Sequence, residues 1–205
     1  MADQPQITAG AYLRLVALGA LVGIPAALAA AIFLALVHDI ERWLWHDLPD
    51  ALGHSGPPWY LVIGLPAVGG VIVAVVRLLL PGDGGHRPLD GLAMGATPLA
   101  YGPGIAFAGL GTLSFGAVLG PEGPLIALGS VVGMSMTLFY RANQREETVL
   151  ATAGSFSAIS ALFGGPLVGG LLMVEGGLAM GTAARFYLFR TLVFSKPRHR
   201  EPVVK

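Results

Sequence analysis

The sequence predicts an all-α integral membrane protein: a bundle in which some helices cross the bilayer and others are broken or re-entrant. Three observations carry that expectation. The chain of 205 residues is 54% hydrophobic and only 12% charged, with a mean hydropathy of +0.70, which does not describe a water-soluble domain. It holds 30 glycines and 15 prolines, damaging in soluble helices but tolerated in membrane bundles, where small residues permit close packing and neighbours re-satisfy freed backbone groups. Long runs also lack charge, above all Gly91 to Tyr140, where every residue is uncharged except Glu122. Twelve basic and twelve acidic residues cancel, so no basic surplus suggests a nucleic-acid partner. Cysteine is absent, which excludes a disulfide framework and a thiolate metal site.

The elements follow in order. Residues 1–10 are read as a polar tail, 11–195 as the membrane domain and 196–205 as a basic tail. Leu15 to Val37 is a charge-free run of 23 residues, long enough to cross a bilayer. A signal peptide is the rival reading, weakened by the missing basic flank and by the length of the run. His38 to Pro58 is expected to be a polar loop with Trp43, Trp45 and Trp59 at headgroup level, where indoles favour the interface. His38, His46 and His54 share this loop without a recognisable ligand spacing, so no metal and no cofactor are expected. Trp59 to Leu80 reads as a second crossing, softened by Pro66, Gly69 and Gly70. The first loop holds few bases, which places it outside and both termini in the cytoplasm, with the basic C-terminal tail available to anionic lipid. An inner (plasma) membrane, multi-pass location is the expectation.

Pro81 to Asp90 is a turn-rich linker, Gly91 to Ala96 is too short to span, and Pro98 to Gly120 is long enough to do so. Leu125 to Tyr140 offers 16 residues, about 24 Å of helix, the length of a helix that starts in mid-membrane and ends at a surface. Arg141 to Glu147 reads as a polar loop leading into a small-residue helix over Thr148 to Phe163, with Glu146 and Glu147 in its first turn. Gly164-Gly165-Pro166 is a second glycine-proline break. Glu175 stands alone in the next apolar run, and the last stretch, Leu178 to Phe194, is interrupted by Arg185 and Arg190.

Chemistry gathers at Gly120-Pro121-Glu122-Gly123-Pro124. A carboxylate in a long apolar run is costly to hold and normally has a partner or a task. Glycines allow close backbone approach, and proline suits a helix's first turn. A helix that begins inside a membrane leaves its first N–H groups unbonded and its positive dipole end exposed. An anion satisfies both, and transporters with discontinuous helices use such starts for anionic substrates. A glutamate there can fill the site with its own carboxylate, or protonate and leave, which makes it a gate. The alternative is a carboxylate that only satisfies a buried helix start.

These residues resemble the CLC family of chloride channels and chloride/proton antiporters. Gly-Leu-Gly-Thr-Leu leading into Gly-Pro-Glu-Gly-Pro is similar to the family's Gly-Arg/Lys-Glu-Gly-Pro motif, with Pro121 in place of the base. The stretch from Leu150 to Glu175, with Phe-Gly-Gly-Pro-Leu-Val-Gly-Gly, is similar to the family's Phe-Asn-Ala-Pro-Leu-Ala-Gly region. The resemblance covers about residues 12 to 180 and only the family's first half. It implies chloride or a similar small anion as substrate, Glu122 as gate, and Gly120, Pro121, Glu122, Gly123 and Gly85 as anion-binding positions. Gly85 stands where the family's central-anion serine would be, so that hydroxyl is missing. Glu175 matches the first of the antiporters' paired glutamates and Gly176 the second, which favours a channel. Glu175 is either part of the ion path or a helix-packing carboxylate facing Arg185.

Family members pair two inverted halves, and the second half's Gly-x-Phe-x-Pro helix start and pore tyrosine are not found here. The expectation is therefore anion transport that needs a complementary half or a homodimer, in contact with membrane lipid. The alternative is a non-conducting truncated subunit or remnant. Enzyme activity is not expected: no His-Glu-x-x-His, Gly-x-Ser-Gly or intramembrane aspartate pair is present.

Overall fold

A computed structural model describes residues 9–82, 96–139, 143–165 and 171. The chain divides into two compact units, Met1–Gly170 and Leu171–Lys205. The described residues are helical, with no strand among them. The α-helices are α1 (Ala9–Arg42), α2 (Leu48–Ala51), α3 (Trp59–Leu79), α4 (Gly102–Leu113), α5 (Glu122–Ser135) and α6 (Gln144–Leu162). A π-helical turn over Trp43–Asp47 joins α1 to α2 without a break.

Two of these pieces are long and apolar enough to cross a bilayer: Ala17–Ala51 and Trp59–Leu79. At 21 residues, α3 is about 31 Å long and matches the roughly 30 Å hydrocarbon core. The first is longer than that core needs and carries its charged end beyond it. The polar loop expected from His38 is therefore a continued helix, and only residues 52–58 are irregular. The helix continues because apolar residues remain on its inward side: Leu44 and Pro49 are buried, while Asp39, Glu41, Arg42 and His46 face outward.

Helices α1, α5 and α6 form the core. Ala30 and Phe33 of α1 pack with Leu125 of α5 and Ala158 of α6. One level away, Val22 and Ala26 pack with Leu150, Val132 and Met136. The order of these contacts makes α5 antiparallel to both α1 and α6. The approach of α5 to α6 is backbone on backbone. A Cβ at Gly154 would lie 2.9 Å from the Gly129 carbonyl carbon, and one at Gly133 would lie 2.6 Å from that of Leu150. Such contact replaces the hydrophobic drive that lipid does not supply. On the other side of α6, Gly19 and Gly23 of α1 meet Ala153 and Ser157. The buried Ser155 hydroxyl shares its proton between the carbonyls of Ile126, at 2.9 Å, and Ala151, at 3.0 Å.

At its start α6 is closed by a capping box. The Asn143 side chain accepts from the Glu146 N–H at 2.9 Å, and the Asn143 N–H donates to the Glu146 carboxylate at 3.1 Å. Glu146 also faces Arg14 at 3.8 Å. The helix therefore begins at Gln144, and the loop expected over 141–147 is shorter than the charges suggested, because these polar residues satisfy the first turn.

The stretch Pro98 to Gly120, long enough to span, does not form one continuous helix. After a 3-10 turn at Leu99–Tyr101, α4 has 12 residues, about 18 Å, and closes on itself. The Gly116 N–H donates to the Leu113 carbonyl at 3.4 Å and the Ala117 N–H to the Thr112 carbonyl at 3.2 Å. Gly116 holds φ +94°, which completes a Schellman closure. Among the described residues, helix α3 packs chiefly on α4 and the turn after it, through Gly69 against Gly111 and Phe115. Trp59, Ile63, Val71, Val75, Leu78 and Leu79 of α3 stay exposed, as lipid-facing side chains do.

Candidate functional site

Glu122 is the first residue of α5, with Pro121 before it at φ −76° and ψ 0° and no side chain capping the helix. The Leu125 N–H closes the first turn on the Pro121 carbonyl at 3.0 Å. Pro121 and Pro124 carry no N–H. The five-residue stretch thus presents three main-chain donors, on Gly120, Glu122 and Gly123, fewer than a helix start normally offers. Space beside them is open: no atom lies within 4 Å of where a Gly123 Cβ would stand, and Glu122 is exposed.

The Glu122 side chain turns back over Gly120. A Cβ on Gly120 would lie 2.5 Å from the Glu122 Cδ and 2.6 Å from Oε1. The carboxylate therefore rests where only a glycine leaves room, on the N-terminal side of its own helix. This is the side toward which the helix dipole attracts negative charge.

Depth follows from packing. Leu125 lies against Ala30 and Phe33, and Pro124 and Phe33 both meet Gly109. Because α5 and α1 are antiparallel, Glu122, about 4.5 Å N-terminal to Leu125, comes level with the part of α1 just before His38. The helix start thus lies level with the polar end of the apolar run of α1.

The segment leading into the helix start is held at its beginning by α1. The Trp45 Nε1–H donates to the Ser114 carbonyl at 3.1 Å, and the Ser114 hydroxyl donates to the Val37 carbonyl at 3.3 Å. The Trp45 ring lies over Gly116, whose Cβ would fall 2.6 Å from the indole Cζ2. Trp45 is half-buried and packs on the turn that closes α4, while Trp43 and Trp59 are exposed. Beyond Gly116 the chain is open, with Val118, Leu119 and Gly120 all exposed.

A family model described as voltage gated chloride channel matches residues 89–194, just over half of the chain. The chain belongs to that family. With its two bilayer-length helices, it is a membrane protein with the all-α fold that the resemblance implied. The family is described as a channel, not as an enzyme class. Relatives that carry the provisional name ion-transport protein YfeO include those of Escherichia coli O139:H28 (strain E24377A / ETEC), Escherichia coli (strain SE11) and Shigella boydii serotype 4 (strain Sb227). Each is 32% identical over 159 residues, a stretch covering 75% of this chain and 37% of the relative. The chain thus spans well under half the length of the curated relatives it matches. No solved structure matches it.

Within this family member, Gly120, Pro121, Glu122 and Gly123 come together at one helix start. Gly85, Gly176 and Glu175, the Gly-Pro break beyond Gly165, and the apolar stretch from Leu178 lie outside the described residues. Among the described residues no group of three or more His, Asp or Glu side chains could hold a metal ion. An apolar cleft of about 250 Å³, lined by Leu18, Leu21, Val22, Met136, Phe139 and Leu150, lies at the other end of α5. It has no polar lining to bind an anion. Trp45 and Ser114 escaped the sequence reading because their partners are 69 and 77 residues away.

Proposed function

We propose that this chain supplies an anion pathway of CLC type across a membrane, with chloride as substrate and Glu122 as its gate. The observation that carries the reading is the start of α5: an exposed carboxylate at the first helical position, beside main-chain donors with open space around them. Gly120, Glu122 and Gly123 bind the anion through their N–H groups, and Pro121 narrows the set of donors. When the Glu122 carboxylate rests over Gly120 it competes for that site; when it leaves, an anion replaces it. The provisional ion-transport name of the relatives supports the same class of activity. Gly176, where the resembling antiporters carry a glutamate, favours channel-like conduction. The protein works as a multi-pass protein of the inner (plasma) membrane, completed by a complementary half or by a second copy.

A second reading is a non-conducting membrane subunit, and one observation favours it. Val118, Leu119, Gly120 and Glu122 all face outward, so the described residues build only one wall of a path. Chloride efflux from liposomes decides between the two. Efflux that is abolished or altered by Glu122→Gln and Glu122→Ala supports the gate. No efflux under any ionic condition, from protein shown to be folded, would refute transport by this chain alone.

A further inference from the structure

Between the end of α4 and the start of α5 the chain has little to hold it. The Leu119 N–H donates to the Ala117 carbonyl at 2.8 Å, and the Ala117 N–H to the Thr112 carbonyl of α4 at 3.2 Å, the last tie before α5. Val118 and Leu119 leave their side chains in the open. The path of this segment is therefore set at its two ends. At the far end Pro124 and Leu125 are buried against Gly109, Phe33 and Ala30. At the near end lies the Schellman turn, covered by Trp45.

We propose that Trp45 is a positioning residue for Glu122, acting as a strut from the π-helical end of α1 to the turn that closes α4. This rests on Glu122 being the functional carboxylate. Two contacts make the strut. The indole N–H holds the Ser114 carbonyl at 3.1 Å, an oxygen at the very end of α4 that otherwise lacks an intrahelical partner. The ring lies against Gly116, whose φ of +94° suits glycine and whose missing side chain gives the ring its seat. The Ser114 hydroxyl adds a third tie to the Val37 carbonyl at 3.3 Å. Trp45 sits in a π-helical turn, Trp43–Asp47, an irregularity that often marks a functional position in a helix. Without the strut, the turn keeps the Ser114–Val37 bond and the Phe115–Gly69 contact but loses its cover, and the open segment that leads to Glu122 is released at its near end.

Absence of native cysteine makes the test specific. Spin labels are placed at Leu36→Cys on the exposed face of α1 and at Glu122→Cys, and their distance distribution is measured in the full-length protein in lipid. A second pair, Leu36→Cys with Leu138→Cys at the other end of α5, reports the packing of the bundle. Trp45→Ala is expected to broaden the 36–122 distribution roughly twofold, as a locally released segment does, and to leave 36–138 unchanged. Trp45→Phe, which keeps a ring over Gly116 and loses the hydrogen bond, is expected to fall between. An unchanged 36–122 distribution in Trp45→Ala would overturn the proposal, and so would equal broadening of both pairs, which means general loosening. A distribution in Trp45→Phe as broad as in Trp45→Ala would also overturn it, since the ring would then contribute nothing. None of these readouts involves anion flux, so the strut can fail while the gate stands, and the reverse.

Discussion

Replacing Gly154 by alanine tests the closest contact in the fold. The added Cβ would stand 2.9 Å from the Gly129 carbonyl carbon and 3.1 Å from the Gly133 nitrogen. The nearest obstacle is the Gly129 carbonyl oxygen, and ordinary contact begins at 3.4 Å, so α5 and α6 must part by roughly 1 Å, which forfeits up to about half of each dispersion contact along the crossing. Neither obstacle is a side chain that can turn away; both are backbone. Overpacking of this kind costs about 1–3 kcal/mol. The Ser155–Ile126 hydrogen bond, 2.9 Å now, stretches toward its limit and loses part of its roughly 1 kcal/mol. Alanine's better helix propensity returns up to about 1 kcal/mol. The net loss is about 1–3 kcal/mol, measurable by equilibrium unfolding in mixed detergent–SDS micelles followed by circular dichroism. Gly70→Ala on α3 is the control, because nothing lies within 4 Å of its Cβ position; it should be neutral or gain up to about 1 kcal/mol. Gly154→Ala as stable as wild type, or Gly70→Ala losing as much, would refute the backbone-contact argument.

Two further predictions concern the site and the opposite end of the bundle. Gly120→Ala should drive the Glu122 carboxylate out of its seat, so that chloride efflux changes in the same direction as in Glu122→Ala and the double variant adds nothing; additive effects in liposome flux would refute a shared seat. Asn143→Ala removes the α6 cap and should cost about 1 kcal/mol. Arg14→Ala should cost less than that, because its guanidinium is mostly exposed and its 3.8 Å pair with Glu146 is solvent-screened. Unfolding of the two variants at low and high salt checks the order, and a salt-sensitive loss confined to Arg14→Ala is expected.

Much of the fold was legible because membrane sequences state their crossings as charge-free length. The run from Leu15 and the run from Trp59 both became helices of crossing length, and the short helix after Glu122 was visible as a shortfall in length. What misled was reading polarity as irregularity. Asp39 to Asp50 and Gln144 to Glu147 are helical, the first because Leu44 and Pro49 still find a buried side, the second because Asn143 and Glu146 cap one another. Conversely, Pro98 to Gly120 has the length to span, yet its helix stops short. No charge marks its end at Leu113; a glycine at positive φ and two hydrogen bonds do.

By itself the sequence determined that this is a membrane protein of the voltage gated chloride channel family, and that Glu122 opens a helix between glycines and prolines. Those properties are local: hydrophobicity, absence of charge and the backbone preferences of two residue types act wherever the chain lies. Only the tertiary structure decided which level of α1 Glu122 reaches, that its carboxylate rests over Gly120, and that Trp45 packs on the turn before it. These depend on contacts between residues far apart in the chain, such as Leu125 with Phe33 and Trp45 with Ser114. Packing creates such contacts, and no single stretch of sequence contains both partners.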